Sequence, residues 1–219
     1  ISAINLLMQF YGDNFNDKAY DLLKVVENGG IRLQQLVENL LDILRLNSDM
    51  IDINKELNDL GGMIMRTIQE HSFQIESRDL SIEIDIPDGF KVRVDKIRFE
   101  QVLSNLVSNA VKNTPPRGSI YIYSEIPENG SQVTIIVEDT GVGLTKEEID
   151  QLFSFFGKIE RYGKGMDIIT EGTGLGLYIT KNIIEQHGGS ITADSDGRGK
   201  GSKFTISIPI DSLVEESPE

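Results

Sequence analysis

Asp139-Thr-Gly-Val-Gly143, followed after a glycine-rich interval by Gly172-Thr-Gly-Leu-Gly-Leu177, is the stretch on which the reading of this chain turns. Glycine has no Cβ, so its backbone can approach a ligand closely and take up φ > 0, and successive N–H groups in such turns converge on anions. Two such clusters bracketing a loop predict a phosphate-bearing ligand, although either one alone is compatible with a plain turn. A third element lies upstream. In Phe99-Glu-Gln-Val-Leu-Ser-Asn-Leu-Val-Ser-Asn-Ala-Val-Lys112, the apolar residues Val102, Leu103, Leu106, Val107 and Ala110 recur at helical spacing, and Asn105, Asn109 and Lys112 line an adjoining stripe. That stripe reads either as the polar edge of a packed helix or as a site where an amide oxygen meets Mg²⁺ and a lysine meets phosphate.

In order and spacing these motifs resemble the boxes of sensor histidine kinases. The helix resembles the N box, Asp139 to Gly143 the G1 box, Leu152-Phe-Ser-Phe-Phe156 the F box, and Gly172 to Leu177 the G2 box. The resemblance implies an α+β chain: a two-helix hairpin that pairs into a dimeric four-helix bundle, then a Bergerat-type α/β sandwich with helices on one face of a mixed sheet. It implies ATP and Mg²⁺ as ligands and γ-phosphoryl transfer to a histidine for relay to a response regulator receiver domain. Asn109 would ligate Mg²⁺, Asn105 would support it and Lys112 would contact phosphate. Gly172, Thr173, Gly174, Leu175 and Gly176 would cradle the triphosphate. The Asp139 carboxylate would accept from the adenine amino group, with Gly141 and Gly143 letting the ring approach. Taken in isolation, Asp139 could equally be a turn former. Related ATPases that hydrolyse ATP carry Glu four residues before the Mg²⁺-binding Asn. Here that place is Asn105, whose amide cannot take a proton from water. The family commonly has an aromatic or His after the N-box lysine, whereas this chain has Asn113.

The chain has 219 residues and no cysteine, which allows an adequate core and excludes a disulfide framework or thiolate metal site. No apolar run reaches membrane-spanning length, so these residues are expected to be cytoplasmic and to make no membrane contact. With 35 acidic against 21 basic residues, the net charge of −14 disfavours nucleic acid as a partner.

Residues 1–50 read as a truncated phosphotransfer hairpin, 51–210 as the catalytic domain and 211–219 as an acidic tail. Ile1, Ile4, Met8 and Tyr11 suggest a first helix. Leu22, Val26, Gly29, Leu33, Leu36, Leu40 and Ile43 form a heptad-like seam on the second, from which a homodimer follows. Gly29-Gly30 could bend that helix. The family's acceptor motif, His-Glu-x-x-x-Pro, does not occur, and Ile1-Ser-Ala-Ile resembles the sequence that follows it; the expectation is a chain cut just upstream of Ile1. His187 reads as a helix C-terminal residue favoured by the macrodipole, and His71 as a surface histidine.

Asn58-Asp59 predicts a cap for a helix running to about Phe73. Leu80 to Ile86 alternates as a strand, Pro87-Asp-Gly89 turns it, and Lys91 to Val94 forms the return before Asp95 caps the next helix. Ile120 to Ile126 and Val133 to Glu138 read as a hairpin about Glu128-Asn-Gly130. Thr145-Lys-Glu-Glu148 predicts a capping box, after which Phe153 and Phe156 anchor the base of a lid. Lys158, Arg161 and Lys164 are candidate γ-phosphate contacts, with ordinary surface charge as the competing account. Ser190 to Ala193 and Lys203 to Ile208 make a last hairpin, and its connection, Asp194-Ser-Asp-Gly-Arg-Gly-Lys-Gly201, reads as a simple loop.

Overall fold

The computed structural model describes residues 2–11, 15–46, 53–125, 132–155, 157 and 174–209. The chain divides into two compact units, Ile1–Ser48 and Asp49–Glu219. Of the sequence expectations, the tail, the tip of the Glu128-Asn-Gly130 turn, and the predicted ligands Phe156, Lys158, Arg161, Gly172 and Thr173, together with Lys164, fall outside the described residues. No helix among the described residues is long and apolar enough to cross a membrane.

The first unit is α1 (Ser2–Tyr11) packed on α2 (Asp17–Leu46). Asn16 caps α2 by accepting the Ala19 N–H on its side chain at 2.9 Å, and Asp17 places a carboxylate in the first turn. The helix is unbroken through Gly29-Gly30. Its predicted seam is mostly open: Leu22, Val26, Leu33 and Leu40 are all exposed, whereas Ile43 is buried. Leaving each such side chain in water forgoes about 1.5–3 kcal/mol.

The second unit holds a five-stranded sheet in the order β2-β4-β5-β7-β6, formed by β2 (Ser81–Asp85), β4 (Ser119–Glu125), β5 (Gln132–Asp139), β6 (Ser190–Asp194) and β7 (Ser202–Pro209). The pair β2/β4 is parallel and the rest are antiparallel, which makes the sheet mixed as expected. Alternation along the strands turns Ile120, Ile122, Val133, Ile135, Val137, Ile191, Phe204, Ile206 and Ile208 inward. Against that face lie α5 (Lys96–Asn113) and α7 (Gly176–Gln186), with α3 (Leu60–Glu70) packed on α5. The unit therefore encloses a complete core, in which Phe99, Leu103, Leu106, Ile179 and Ile183 are essentially inaccessible.

Two local expectations are corrected. The strand β3 (Lys91–Val94) does not return beside β2; it pairs antiparallel with β1 (Glu56–Asp59), in register Glu56↔Val94 to Asp59↔Lys91. Alternation identifies a strand but not its neighbour, and burial of both Val92 and Val94 is better met in this two-stranded ribbon. Asp59 caps as predicted, accepting the Gly62 N–H at 3.1 Å, but the helix it starts ends at Glu70. The short α4 (Ser72–Ser77) follows, and His71 sits between them at half burial with its Nε2 3.1 Å from Ser104 Oγ of α5. His71 is thus an interhelical contact rather than a free surface residue.

Candidate functional site

The site is organised on α5. Asp95 caps it by accepting the Arg98 N–H at 3.1 Å, and seven apolar residues from Phe99 to Val111 bury one side. That burial fixes the helix's rotation and leaves Asn105, Asn109 and Lys112 half-buried on the flank. At one end of this stripe the Asn105 amide donates at 3.3 Å to the Gly176 carbonyl and to Thr180 Oγ1, tying α5 to the first turn of α7. A Cβ on Gly176 would lie 2.9 Å from Asn105 Oδ1, so a side chain there would push on the Asn105 amide. At the other end the Asn113 carbonyl accepts the Val142 N–H at 3.0 Å, and a Cβ on Gly141 would collide with that same carbonyl. Asn105 and Asn113 are eight residues apart, roughly 12 Å along a helix. Asn109 and Lys112 lie between them, so both glycine clusters flank one short polar stripe.

Asp139, at the end of β5, is 4 % exposed and faces the core side of the sheet opposite Ile120. A carboxylate there must be hydrogen-bonded, and its Oδ1 accepts the Gly141 N–H at 2.8 Å. Gly143 has φ +65° and Gly174 φ +74°, the left-handed region that predicted their identity. Leu175 precedes α7 and is buried, so its side chain is a packing plug and only its backbone can face a ligand. Among the described residues no side-chain cap bonds the start of α7, so its first N–H groups are suited to an anion. Among the described residues no group of three or more His, Cys, Asp or Glu is placed to hold a metal ion. A metal reading therefore rests on the Asn109 amide.

Residues 94–212 match the family of histidine kinase-, DNA gyrase B-, and HSP90-like ATPases. This chain belongs to that family. It carries the catalytic domain of a sensor histidine kinase, an ATP-binding domain. The sensor protein SrrB of Staphylococcus aureus is 34% identical over 196 residues, which cover 88% of this chain and 32% of SrrB; the chain spans about a third of that relative's length. The histidine kinase AdeS of Acinetobacter baumannii superposes with a TM-score of 0.72 at 26% identity, covering 96% of this chain and 95% of that one. ThkA, solved in complex with the response regulator TrrA, shares the fold with a TM-score of 0.69 at 22% identity, covering 99% of this chain and 58% of that one.

In box terms, α5 is the N box, and the helix α6 (Lys146–Gln151) opens the F box. Both halves of the predicted capping box form: Thr145 N–H donates to Glu148 Oε2 at 2.8 Å, and Glu148 N–H donates to Thr145 Oγ1 at 3.3 Å. Of the expected anchors Phe153 is half-buried, and Phe155, which the sequence reading did not single out, sets its ring edge-on to Tyr178 of α7 at 5.4 Å.

The connection from Ser195 to Gly201 is more than a loop. It clasps the G1 turn at four consecutive residues. Gly141 O accepts from Gly201 N–H at 3.0 Å and Val142 O from Gly199 N–H at 2.8 Å. Gly143 O accepts from Arg198 Nη1 at 3.1 Å, and Leu144 N–H donates to Ser195 Oγ at 3.0 Å. A Cβ on Gly143 would overlap Gly197 O, and one on Gly201 would overlap Asp139 O. Gly197, Gly199 and Gly201 all have positive φ, which lets the loop turn its backbone N–H groups onto the G1 turn.

His187 closes α7 just before Gly188 at φ +80°, as the sequence predicts, but it is buried as well. It is 2 % exposed, its Nε2 accepts the Asp95 N–H at 3.0 Å, and Nδ1–H donates to Ile183 O at 2.8 Å. That pattern fixes the neutral tautomer. Burial, reinforced by the nearby Lys55 charge, holds the imidazole below its usual pKa. Lys55 Nζ donates to the His187 carbonyl at 2.9 Å, and Asn54 N–H donates to Asp95 Oδ2 at 3.2 Å. A neutral buried histidine, not an imidazolium at a helix dipole, therefore joins the start of the N box to the end of the G2 helix.

Proposed function

We propose that this chain binds Mg²⁺-ATP on the α5 stripe and serves phosphoryl transfer to a histidine, for relay to an aspartate of a response regulator receiver domain. The observation that supports the reading is that Gly176 from one glycine cluster and Gly141-Val142 from the other meet the two ends of the Asn105–Asn113 stripe. Asn109 supplies an amide oxygen for Mg²⁺, alongside phosphate oxygens and water, and Lys112 supplies charge to the phosphates. The uncapped start of α7 receives the triphosphate, and Asp139 reads the base. In the reaction the bond from γ-phosphorus to the bridging oxygen breaks, ADP leaves, and a phosphorus–nitrogen bond forms on an imidazole. Catalysis consists mainly of positioning and charge neutralisation.

Neither histidine of the chain suits the acceptor role, since His187 is buried with both ring nitrogens bonded and His71 bonds Ser104. Direct hydrolysis is disfavoured because Asn105, at the place of a hydrolytic base, has its amide engaged with Gly176 and Thr180. The open seam of α2 favours a homodimer in which two hairpins make a four-helix bundle. The solved ThkA–TrrA complex supports a receiver-domain partner. The test is calorimetric titration of Mg²⁺-ATP into the chain and into Asn109→Ala and Asp139→Asn. Binding in the parent with at least a tenfold loss in each variant is expected, as for losing a hydrogen bond to a charged group. Equal binding by all three would remove the site assignment.

A further inference from the structure

We infer that Arg198 is a positioning residue for the nucleotide, holding the G1 turn and the F-box helix in one fixed relation; the inference rests on the ATP-site reading above. Its guanidinium, brought from a loop some 50 residues further on, braces the G1 turn against the α6 helix that follows it directly through Leu144 and Thr145. Nη1 donates to the Gly143 carbonyl, the third of the four G1 positions clasped by the Ser195–Gly201 loop, and Nη2 pairs with Glu148 Oε1. Glu148 is the shared member: its other oxygen, Oε2, closes the capping box on Thr145 N–H. One carboxylate thus sets the start of α6 while also orienting the arginine that sets the G1 turn.

The other clasp contacts come from backbone N–H groups and from one hydroxyl that also ties the loop to itself. Ser195 Oγ donates to Gly201 O at 2.6 Å and accepts from Leu144 and Gly197 N–H groups, which uses its full hydrogen-bonding capacity. The loop therefore holds its own shape, and Arg198 alone among its side chains reaches on to α6. A guanidinium suits this task because its planar fork can serve a carbonyl and a carboxylate together, which an ammonium cannot do in the same geometry. Arg198 is about half exposed, at 47 %, against 17 % for Glu148, so truncating it opens no core cavity. The G1 turn carries the glycines beside the base, and α6 leads towards Phe155 and its contact with Tyr178 on the G2 helix. Removing this brace loosens the angle between the G1 turn and α6 without touching Asn109, Lys112 or Asp139.

The experiment measures Mg²⁺-ATP affinity of the whole chain by calorimetry for the parent, R198A, R198K, E148Q and the double variant R198A/E148Q. Gln at position 148 keeps the capping box while removing the ion pair. About a tenfold weaker affinity is expected for R198A, the size of a lost charge-assisted hydrogen bond. R198K should recover only part of it. E148Q should weaken binding in the parent and add nothing on top of R198A. Amide exchange at Leu144 and Thr145 should accelerate in R198A while the melting temperature holds, a pairing that general destabilisation would not produce. Affinity in R198A within twofold of the parent, full rescue by R198K, or additive losses in the double variant would each overturn the role of Arg198. A parent chain that does not bind ATP at all would instead overturn the nucleotide reading, and the role of Arg198 with it.

Discussion

The two units of this chain bury their apolar residues in opposite ways. In the catalytic unit the inward sides of five strands and the apolar sides of α5 and α7 close on one another, leaving Leu106, Ile135 and Ile183 essentially inaccessible. On the hairpin, α2 carries a comparable density of leucine and valine, yet Leu22, Leu33, Val37 and Leu44 stay exposed. The same hydrophobic term that completes one unit leaves the other needing a surface to cover it. The catalytic unit closes a core within itself, whereas the exposed side chains of α2 are those that the proposed homodimer would cover.

That contrast can be broken or sharpened by substitution. The largest effect is expected for Leu106→Ala, which truncates a fully buried side chain of the N-box helix; denaturant unfolding should show a loss of about 2–5 kcal/mol in the catalytic unit. Self-association should be unaltered, because the proposed seam lies on α2 and Leu106 on α5. Leu33→Glu tests the other unit. A dimer detected by sedimentation should dissociate, with a loss of about 1.5–3 kcal/mol per copy from the leucine alone, while Mg²⁺-ATP affinity of the catalytic unit is unchanged. A Leu33→Glu chain that remains as associated as its parent would remove the seam as the reason for the exposed leucines.

The smallest effect concerns His187 and belongs to the catalytic unit. Its pKa is lowered from 6.5 on folding, so the unfolded chain takes up the proton first as pH falls. The stabilisation is therefore full above about pH 6.5 and declines below it, towards the folded value, by at most about 1.4 kcal/mol per pH unit. Unfolding curves at pH 7.5 and 5.5 should show this slope in the parent and not in His187→Gln. An identical slope in both would mean that the Asp95–His187 contact does not hold the histidine neutral.

Much of the candidate site was legible because its residues are required locally. Asn105, Asn109 and Lys112 share a helix flank through spacing alone, Gly143 and Gly174 carry the positive φ that glycine tolerates, and Thr145 with Glu148 spells its cap. The contact of Phe155 with Tyr178 was not legible, since three phenylalanines within four residues give no periodicity from which to tell which one faces α7. The ribbon of β1 with β3 was missed because alternation is the same whichever strand lies alongside.

The sequence by itself determined the helix flank, the glycine turns and the open seam of α2, since each follows from side-chain period or from backbone freedom within a few residues. Only the tertiary structure decided that Arg198 reaches both Gly143 and Glu148, and that His187 meets Asp95. Those partners lie 50, 55 and 92 residues apart along the chain. Contacts at such separations leave no periodic trace in sequence, because they form only when folding of the whole sheet brings the loop ends and helix termini together.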